Sequence, residues 1–356
     1  MSGRAGSAAP RLVLRADAGS GIGSGHLMRC LALAHAWQVR GGQAVLLSHC
    51  PSEALCDRVR QENVAFVSMP TTHPNANDLA LLLGALDEAC SKGEQSRLWL
   101  ALDGYHFDQS YQAAVRDAGY HLLVIDDTAH LPHYHADIIL NQNLGAEQLT
   151  YSCDPDTQLL LGPRYVLLRP EFLPYRNWQR PIPEVACRVL ITMGGSDPEN
   201  VTQRVLEALA MCDLPGLEVR AVVGGANPHL AALEMVAHSL PYKIDLLYNV
   251  QDMPAQMAWA DLAISAGGST CWELAFMGLP TLLIILAENQ RLAVEAVAVA
   301  GFGATLGYAS QLNPGTTIDA LRMLAHDPVQ RAGMACQGRM VVDGLGAERI
   351  TFAITP

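Results

Sequence analysis

The residues best suited to chemistry lie in a glycine-dense segment near the N-terminus, Asp17-Ala-Gly-Ser-Gly-Ile-Gly-Ser-Gly25-His26-Leu-Met-Arg29. It follows a short apolar run and opens a helical one, so its backbone can approach an anionic or sugar ligand closely. His26 falls in the first turn of that helix, where the positive end of the dipole favours a neutral imidazole able to accept a proton. General base is the functional reading, and packing at a helix start is its alternative. Arg29, one turn on and on the same face, suits holding a phosphate, pinning His26, or simple exposure on the helix surface. Every G-x-G-x-x-G frame fails, because the third glycine position is Ser24, His26 or Met28, and no Gly-Lys-Ser/Thr follows. Neither a dinucleotide fingerprint nor a Walker loop is present.

Two segments of the second half have related character. Gly194-Gly195-Ser196-Asp197-Pro198 predicts a helix start with Ser196 or Asp197 as cap and Pro198 at the first helical position. In Ala266-Gly267-Gly268-Ser269-Thr270-Cys271-Trp272-Glu273 two glycines free the backbone where a helix begins, and open amides at Ser269–Cys271 would suit a diphosphate. Thr270 and Glu273 fit a capping box, while a carboxylate accepting both ribose hydroxyls is the functional alternative for Glu273. His130, His133 and His135 group around Pro132, but no fourth ligand is spaced to close a metal site, so no metal is expected.

These loops need elements to position them. From residue 11, short β-branched or leucine-rich runs alternate with helical segments, the pattern of parallel sheets covered by helices. Strands are expected at Arg11–Arg15, Ala44–His49, Val64–Val67, Arg97–Leu102, His121–Ile125 and Asp137–Leu140, with a helix over Leu27–Val39 ending at Gly41-Gly42. A second set follows at Arg188–Thr192, Leu217–Val223, Ile244–Leu247, Leu262–Ser265, Thr281–Leu286 and Ala304–Leu306. The prolines between Pro163 and Pro183 suit neither a long helix nor a central strand. The expected organisation is a terminus over 1–10, an N-terminal domain over 11–162, a linker over 163–185 and a C-terminal domain over 186–356. Two such Rossmann-like α/β domains would face each other across a cleft lined by strand-end loops, Asp103–Tyr105, Asn141–Asn143 and Glu288–Gln290 among them.

At 356 residues, half of them apolar, the chain can build two cores. The formal charge of −12, with Lys92 and Lys243 the only lysines, argues against nucleic acid or an anionic membrane as partner. Nine scattered cysteines without a C-x-x-C pair suit reduced thiols and hence a cytoplasmic location. The most apolar stretch, Gly278 to Ala287, falls short of the roughly 20 residues of a membrane helix and reads as a buried strand.

With these residues in place, the sequence resembles the hydrolases that remove UDP from a 2,4-diacetamido-2,4,6-trideoxyhexose in pseudaminic acid biosynthesis. The resemblance is carried by Arg15-Ala-Asp17 through Arg29, Leu102-Asp-Gly-Tyr105, Asp126-Asp127 with Asp137-Ile-Ile-Leu-Asn-Gln-Asn143, Met193-Gly-Gly-Ser-Asp, Ile264-Ser-Ala-Gly-Gly-Ser-Thr and Glu288-Asn-Gln290. It implies a GT-B fold related to the transferase that adds N-acetylglucosamine to lipid-linked muramyl-pentapeptide, working instead as a hydrolase, with the catalytic base in the N-terminal domain and the nucleotide held by the C-terminal domain; a monomer without cofactor is expected. By the same resemblance His26 matches the catalytic base and Tyr105 an active-site tyrosine. Asp17, Gly25, Arg29, Asn141, Asn143, Gly195, Ser196, Gly267, Gly268, Ser269, Thr270, Glu273, Asn289 and Gln290 are the expected contacts to a UDP-activated diacetamido sugar. A GT-B transferase, a non-catalytic nucleotide-sugar sensor and a hydrolysing 2-epimerase are the competing readings.

Overall fold

The computed structural model describes residues 10–19, 22–89, 98–248 and 250–355. The first half runs β1 (Arg11–Ala16), α1 (Gly25–Val39), β2 (Gln43–Ser48), α2 (Glu53–Gln61), β3 (Ala65–Ser68), α3 (Asp78–Ala89), β4 (Leu98–Asp103), α4 (Gln109–Asp117), β5 (His121–Ile125), β6 (Ile138–Asn141) and β7 (Gln158–Leu161). Its sheet has the order β3-β2-β1-β4-β5-β6-β7, parallel throughout. The second half runs β8 (Arg188–Thr192), α5 (Val201–Leu209), β9 (Glu218–Val223), α6 (Leu230–Ser239), β10 (Lys243–Tyr248), α7 (Met253–Trp259), β11 (Leu262–Ala266), α8 (Thr270–Phe276), β12 (Thr281–Ile285), α9 (Arg291–Ala300), β13 (Gly303–Tyr308), α10 (Pro314–His326), α11 (Pro328–Val341) and α12 (Gly346–Ala353). Its sheet, also parallel, is ordered β10-β9-β8-β11-β12-β13.

Strands covered by helices on both faces should read as unbroken apolar runs rather than alternating ones. β4, β11 and β12 are buried at every residue, and the apolar stretch around Gly278–Ala287 contains β12. Among the described residues no helix is long and apolar enough to cross a membrane. α1 stops where expected: Gly41 takes a positive φ of 84°, and a Cβ on Gly42 would come within 2.2 Å of Trp37 Nε1. β7 is an addition to the expected strands, a four-residue edge strand too short to stand out as a pattern. Arg97, at the start of the expected fourth strand, lies outside the described residues, as do Ser20 and Gly21 of the first loop.

The segment 163–185 holds two 3-10 turns, Pro163–Tyr165 and Pro170–Tyr175. Leu167 enters the core of the first half, while Val166, Leu168 and Phe172 enter that of the second. The Arg180 guanidinium fixes this segment by donating to the carbonyls of Met257, Ala260 and Met277. The last helix packs away from its sequence neighbours: Ile350 and Ile354 join the core around Leu12, Leu27 and Trp37 of the first half.

In each sheet the strand order reverses once, between β1 and β4 and between β8 and β11. The crevice outside the carboxyl ends of the strands at such a reversal is where open α/β sheets receive ligands. The loops leaving β1, β4, β8 and β11 therefore flank that crevice.

Candidate active site

His26 arrives on the first turn of α1 from the loop after β1, and Asp103 ends the neighbouring strand β4. They meet at the switch point, with His26 Nδ1 2.6 Å from Asp103 Oδ1. Burial by itself would raise the Asp103 carboxyl; the Arg29 charge and then His26 outweigh it and hold the group below the ordinary carboxylate range. An ionised carboxylate only accepts, so Nδ1 carries a proton, and in the neutral imidazole Nε2 is the nitrogen that presents its lone pair. Among the described residues none hydrogen-bonds Nε2. The arrangement is an oriented imidazole backed by a carboxylate, the requirement for a general base.

Arg29 is only 7% exposed, which corrects the reading of a surface arginine. Its Nε and Nη2 donate to Asp103, and Nη1 and Nη2 donate to Asp127 at 3.0 and 3.1 Å. With its donors committed to two carboxylates it pins His26 rather than holding a phosphate. Asp127 also accepts from Tyr105 Oη at 2.9 Å and from Asn143 Nδ2 at 2.9 Å. Burial opposes ionisation of Asp127, but Arg29 overcomes it and sets the carboxyl far below its usual range. For Tyr105, burial first and the Asp127 charge second push the phenol well above its usual value. Tyr105 stays a protonated donor, its ring edge-on to His26 at 5.3 Å between centroids.

Two expected ligands prove to be supports. Asp17 takes the Arg15 guanidinium and the backbone N–H groups of His49 and His73, at 2.8 and 2.9 Å, which occupies both carboxylate oxygens. It ties the ends of three loops together instead of facing the cleft. Asn141 is fully buried, donating to Tyr151 Oη and accepting from the Asn143 amide. The adjacent Asp126 is a further hub, accepting from Tyr134, Tyr151 and the amides of Thr128 and Ala129. This brace fixes the backbone from which Asp127 projects.

Across the cleft the glycines allow close approach. A Cβ on Gly195 would lie 3.0 Å from Ser24 Oγ, and one on Gly25 would lie 3.3 Å from Ser269 Oγ. The start of α1 thus sits against the loops after β8 and β11. The Gly194–Pro198 prediction needs correction: the helix begins at Val201, and Asp197 caps it from outside by accepting from the amides of Val201 and Thr202. Ser196 lies half-buried in that loop. At α8 the Cys271 amide is taken by the Gly268 carbonyl at 3.0 Å, so the amides without a backbone partner are those of Gly268, Ser269 and Thr270. The Thr270–Glu273 capping box does not form. Glu273 instead receives Arg169 in a two-pronged pair at 2.6 and 2.9 Å, which links α8 to the segment 163–185. A Cβ on Gly267 would strike Val294 of α9 at 2.2 Å, whereas Gly268 has open space. Gln290 closes its own turn by accepting from the Leu286 amide, and Asn289 reaches over to Tyr105 Oη at 3.4 Å.

Sequence reasoning missed Asp103 and Asp127 as functional residues. Both stand in stretches that drew notice, but the partners that define them are 77 and 98 positions away. The histidine cluster also divides differently from its spacing. His130 turns to Asp126 and the Tyr105 carbonyl, while His133 and His135 converge on Asp154.

Residues 188–341 match the glycosyltransferase family 28 C-terminal domain. The crystal structure of Acinetobacter baumannii MurG superposes with a TM-score of 0.66 at 18% identity, covering 97% of this chain and 99% of that one. The fold is GT-B. The spinosyn rhamnosyltransferase SpnG, solved with thymidine diphosphate, shares this GT-B architecture at a TM-score of 0.62 and 17% identity, over 97% of this chain and 100% of its own. In sequence, the spore coat polysaccharide biosynthesis protein SpsG of Bacillus subtilis is 28% identical over 219 residues, 61% of this chain and 64% of that protein. The pseudaminic acid cytidylyltransferase and UDP-2,4-diacetamido-2,4,6-trideoxy-beta-L-altropyranose hydrolase of Helicobacter pylori is 27% identical over 197 residues, 54% of this chain and 34% of that protein. The matched stretches thus span less than two thirds of either relative.

Proposed function

We propose that this GT-B protein hydrolyses a UDP-sugar at the anomeric carbon, with UDP-2,4-diacetamido-2,4,6-trideoxy-β-L-altropyranose as substrate. The observation that carries the reading is the His26–Asp103 pair, an imidazole with one nitrogen held by a buried anion and the other open. His26 Nε2 takes a proton from water as the water oxygen bonds to C1 from the face opposite the nucleotide. The bond between C1 and the phosphate oxygen breaks with inversion, and its electron pair leaves on UDP. Asp103 stabilises the imidazolium that forms. A diphosphate is a stable leaving group, so no second carboxylic acid is required to protonate it. The amides of Gly268, Ser269 and Thr270 are placed to receive its charge. Glu273, steadied by Arg169, retains lone pairs for the ribose hydroxyls. The thymidine diphosphate bound by SpnG supports a nucleoside diphosphate as leaving group, and the activity named for the Helicobacter pylori relative supports UDP and the sugar.

The test is UDP release from this substrate without acceptor, with UDP-N-acetylglucosamine as control and ¹⁸O-labelled water as solvent. Release from the first alone, with label in the sugar, is the expected result. Label in UDP would mean attack at phosphorus and would end the scheme. The match of residues 188–341 to a glycosyltransferase domain favours one second reading, transfer to an acceptor hydroxyl. That reading predicts UDP release only when an acceptor is supplied.

A further inference from the structure

Outside the cleft, the segment before β6 pairs with the segment before β7 through a parallel bridge between Tyr134 and Cys153. Tyr134 donates its amide to the Ser152 carbonyl and accepts from the Asp154 amide, at 2.9 and 3.3 Å. Side chains alternate across extended backbone. Tyr134 accordingly points inward to Asp126, while His133 and His135 share the other side. There they meet Asp154: its Oδ1 lies 3.0 Å from His133 Nε2 and 3.2 Å from His135 Nδ1. The three ligand atoms all fall within 4.8 Å of one another.

We infer that His133, His135 and Asp154 form a binding site for a divalent late first-row transition metal, zinc being the type ion, which fastens these two loops together. Two atoms bound to one tetrahedral zinc at ~2.0–2.1 Å lie roughly 3.3 Å apart, close to the 3.0 and 3.2 Å from the carboxylate oxygen to the two imidazole nitrogens, and the nitrogens, within 4.8 Å of each other, would draw together on the ion. Two nitrogens and one carboxylate select zinc, cobalt, nickel or copper over magnesium and calcium, which prefer oxygen alone. Metal-bound histidines usually carry a fixed partner on the other ring nitrogen, and His133 Nδ1 has one in Ser152 Oγ at 2.9 Å. In the metal-bound form Nδ1 would donate to that oxygen and leave the Nε2 lone pair for the cation; without one, Nε2–H donates to Asp154. With three protein ligands and a fourth position left to solvent, the metal would brace the two loops away from the cleft. Among the described residues none of the three side chains bonds to His26, Asp103, Arg29 or Asp127. The loops it joins do carry Tyr134 and Tyr151, whose hydroxyls both hold Asp126, so occupancy stiffens the backbone beside Asp127.

The experiment is calorimetric titration of the chelator-treated full chain with zinc chloride, with magnesium chloride as comparator. It is repeated on Asp154→Asn and on the double variant His133→Gln/His135→Gln, with thermal unfolding followed in parallel. The wild type should take up one more zinc than the double variant, bind it at least tenfold more tightly than Asp154→Asn, ignore magnesium, and melt higher as zinc rises. Cobalt should give the wild type a visible ligand-field band, a readout that does not depend on the folding of any variant. Equal zinc uptake by wild type and a folded double variant, or no cobalt band and no zinc uptake by the wild type, overturns the site and leaves the cluster as ion pairs.

Discussion

Replacing Asp103 by asparagine tests the proton logic of the site with little change of shape. In the wild type Oδ1 accepts from His26 Nδ1 and from Arg29 Nη2, each at 2.6 Å, while Oδ2 accepts from Arg29 Nε. An amide has one accepting oxygen. With its oxygen at the Oδ1 position the amide keeps His26 Nδ1 and Arg29 Nη2 and sets its NH2 against Arg29 Nε; with the NH2 at the Oδ1 position it abuts Arg29 Nη2 and moves the imidazole proton to Nε2, the position that must take a proton from water. In the first orientation a neutral amide no longer offsets the charge of the imidazolium, and in the second the lone pair is turned away, so the base is impaired in both. General-base catalysis contributes typically 10²–10⁴-fold, so kcat for UDP release should fall by that factor, about 3–5 kcal/mol at the transition state, while KM changes little. Leaving Arg29 with one buried anion should also cost about 3–5 kcal/mol of stability, read from urea unfolding. The double variant His26→Asn/Asp103→Asn should be no slower than His26→Asn, because both substitutions disable one device. A folded Asp103→Asn protein with kcat near that of the wild type would refute the reasoning, as would additive losses in the double variant.

Three further outcomes follow from the same geometry. Asp103 and Asp127 are both held below the ordinary carboxylate range, so their contribution is complete above the unfolded value of about 3.9 and is lost as pH falls through the folded values. Urea midpoints should therefore drop below about pH 4, and Asp127→Asn should flatten that acid slope; an unchanged slope would exclude Asp127 as its source. Glu273→Gln should cost about 3 kcal/mol, the low end for breaking a buried pair, because Glu171 stays 3.1 Å from Arg169; the same variant should weaken UDP binding in a titration. Gly267→Ala should lose about 1–3 kcal/mol by overpacking against Val294 and raise KM, and Val294→Ala should restore both if the clash with α9 is the cause.

The alternation of apolar runs and helical segments placed the two sheets, and glycine density after β1 and β11 marked the loops that meet at the cleft. His26 was legible because a helix start is a local signal. Arg29 was not, since nothing near it in sequence indicates that Asp103 and Asp127 would bury it. Glu273 illustrates the same limit: Thr270 three residues before it suggests a cap, yet its partner is Arg169, 104 positions away. Asp17 looks like a ligand by its place in a glycine loop, and becomes a tie because His49 and His73 reach it from the loops after β2 and β3, beside Arg15 two residues before it. Short-range pattern records which backbone is free to turn. Which polar group is satisfied by protein, and which remains for a ligand, depends on the assembled sheet.

The return of α12 to the first half bears on how the cleft moves. The chain passes between the halves twice, outward along 163–185 and back just before Gly346, and the two passages are laced together. Arg176 donates to the Gly344 carbonyl at 2.8 Å, Arg339 to the Arg176 carbonyl at 2.6 Å and Arg349 to the Arg164 carbonyl at 2.7 Å. A single tether would let one half swivel on the other. Two passages bound side by side would act as a spine: any opening of the halves would be confined to a movement like the covers of a book, one that carries His26 back to the same place over the α8 loop.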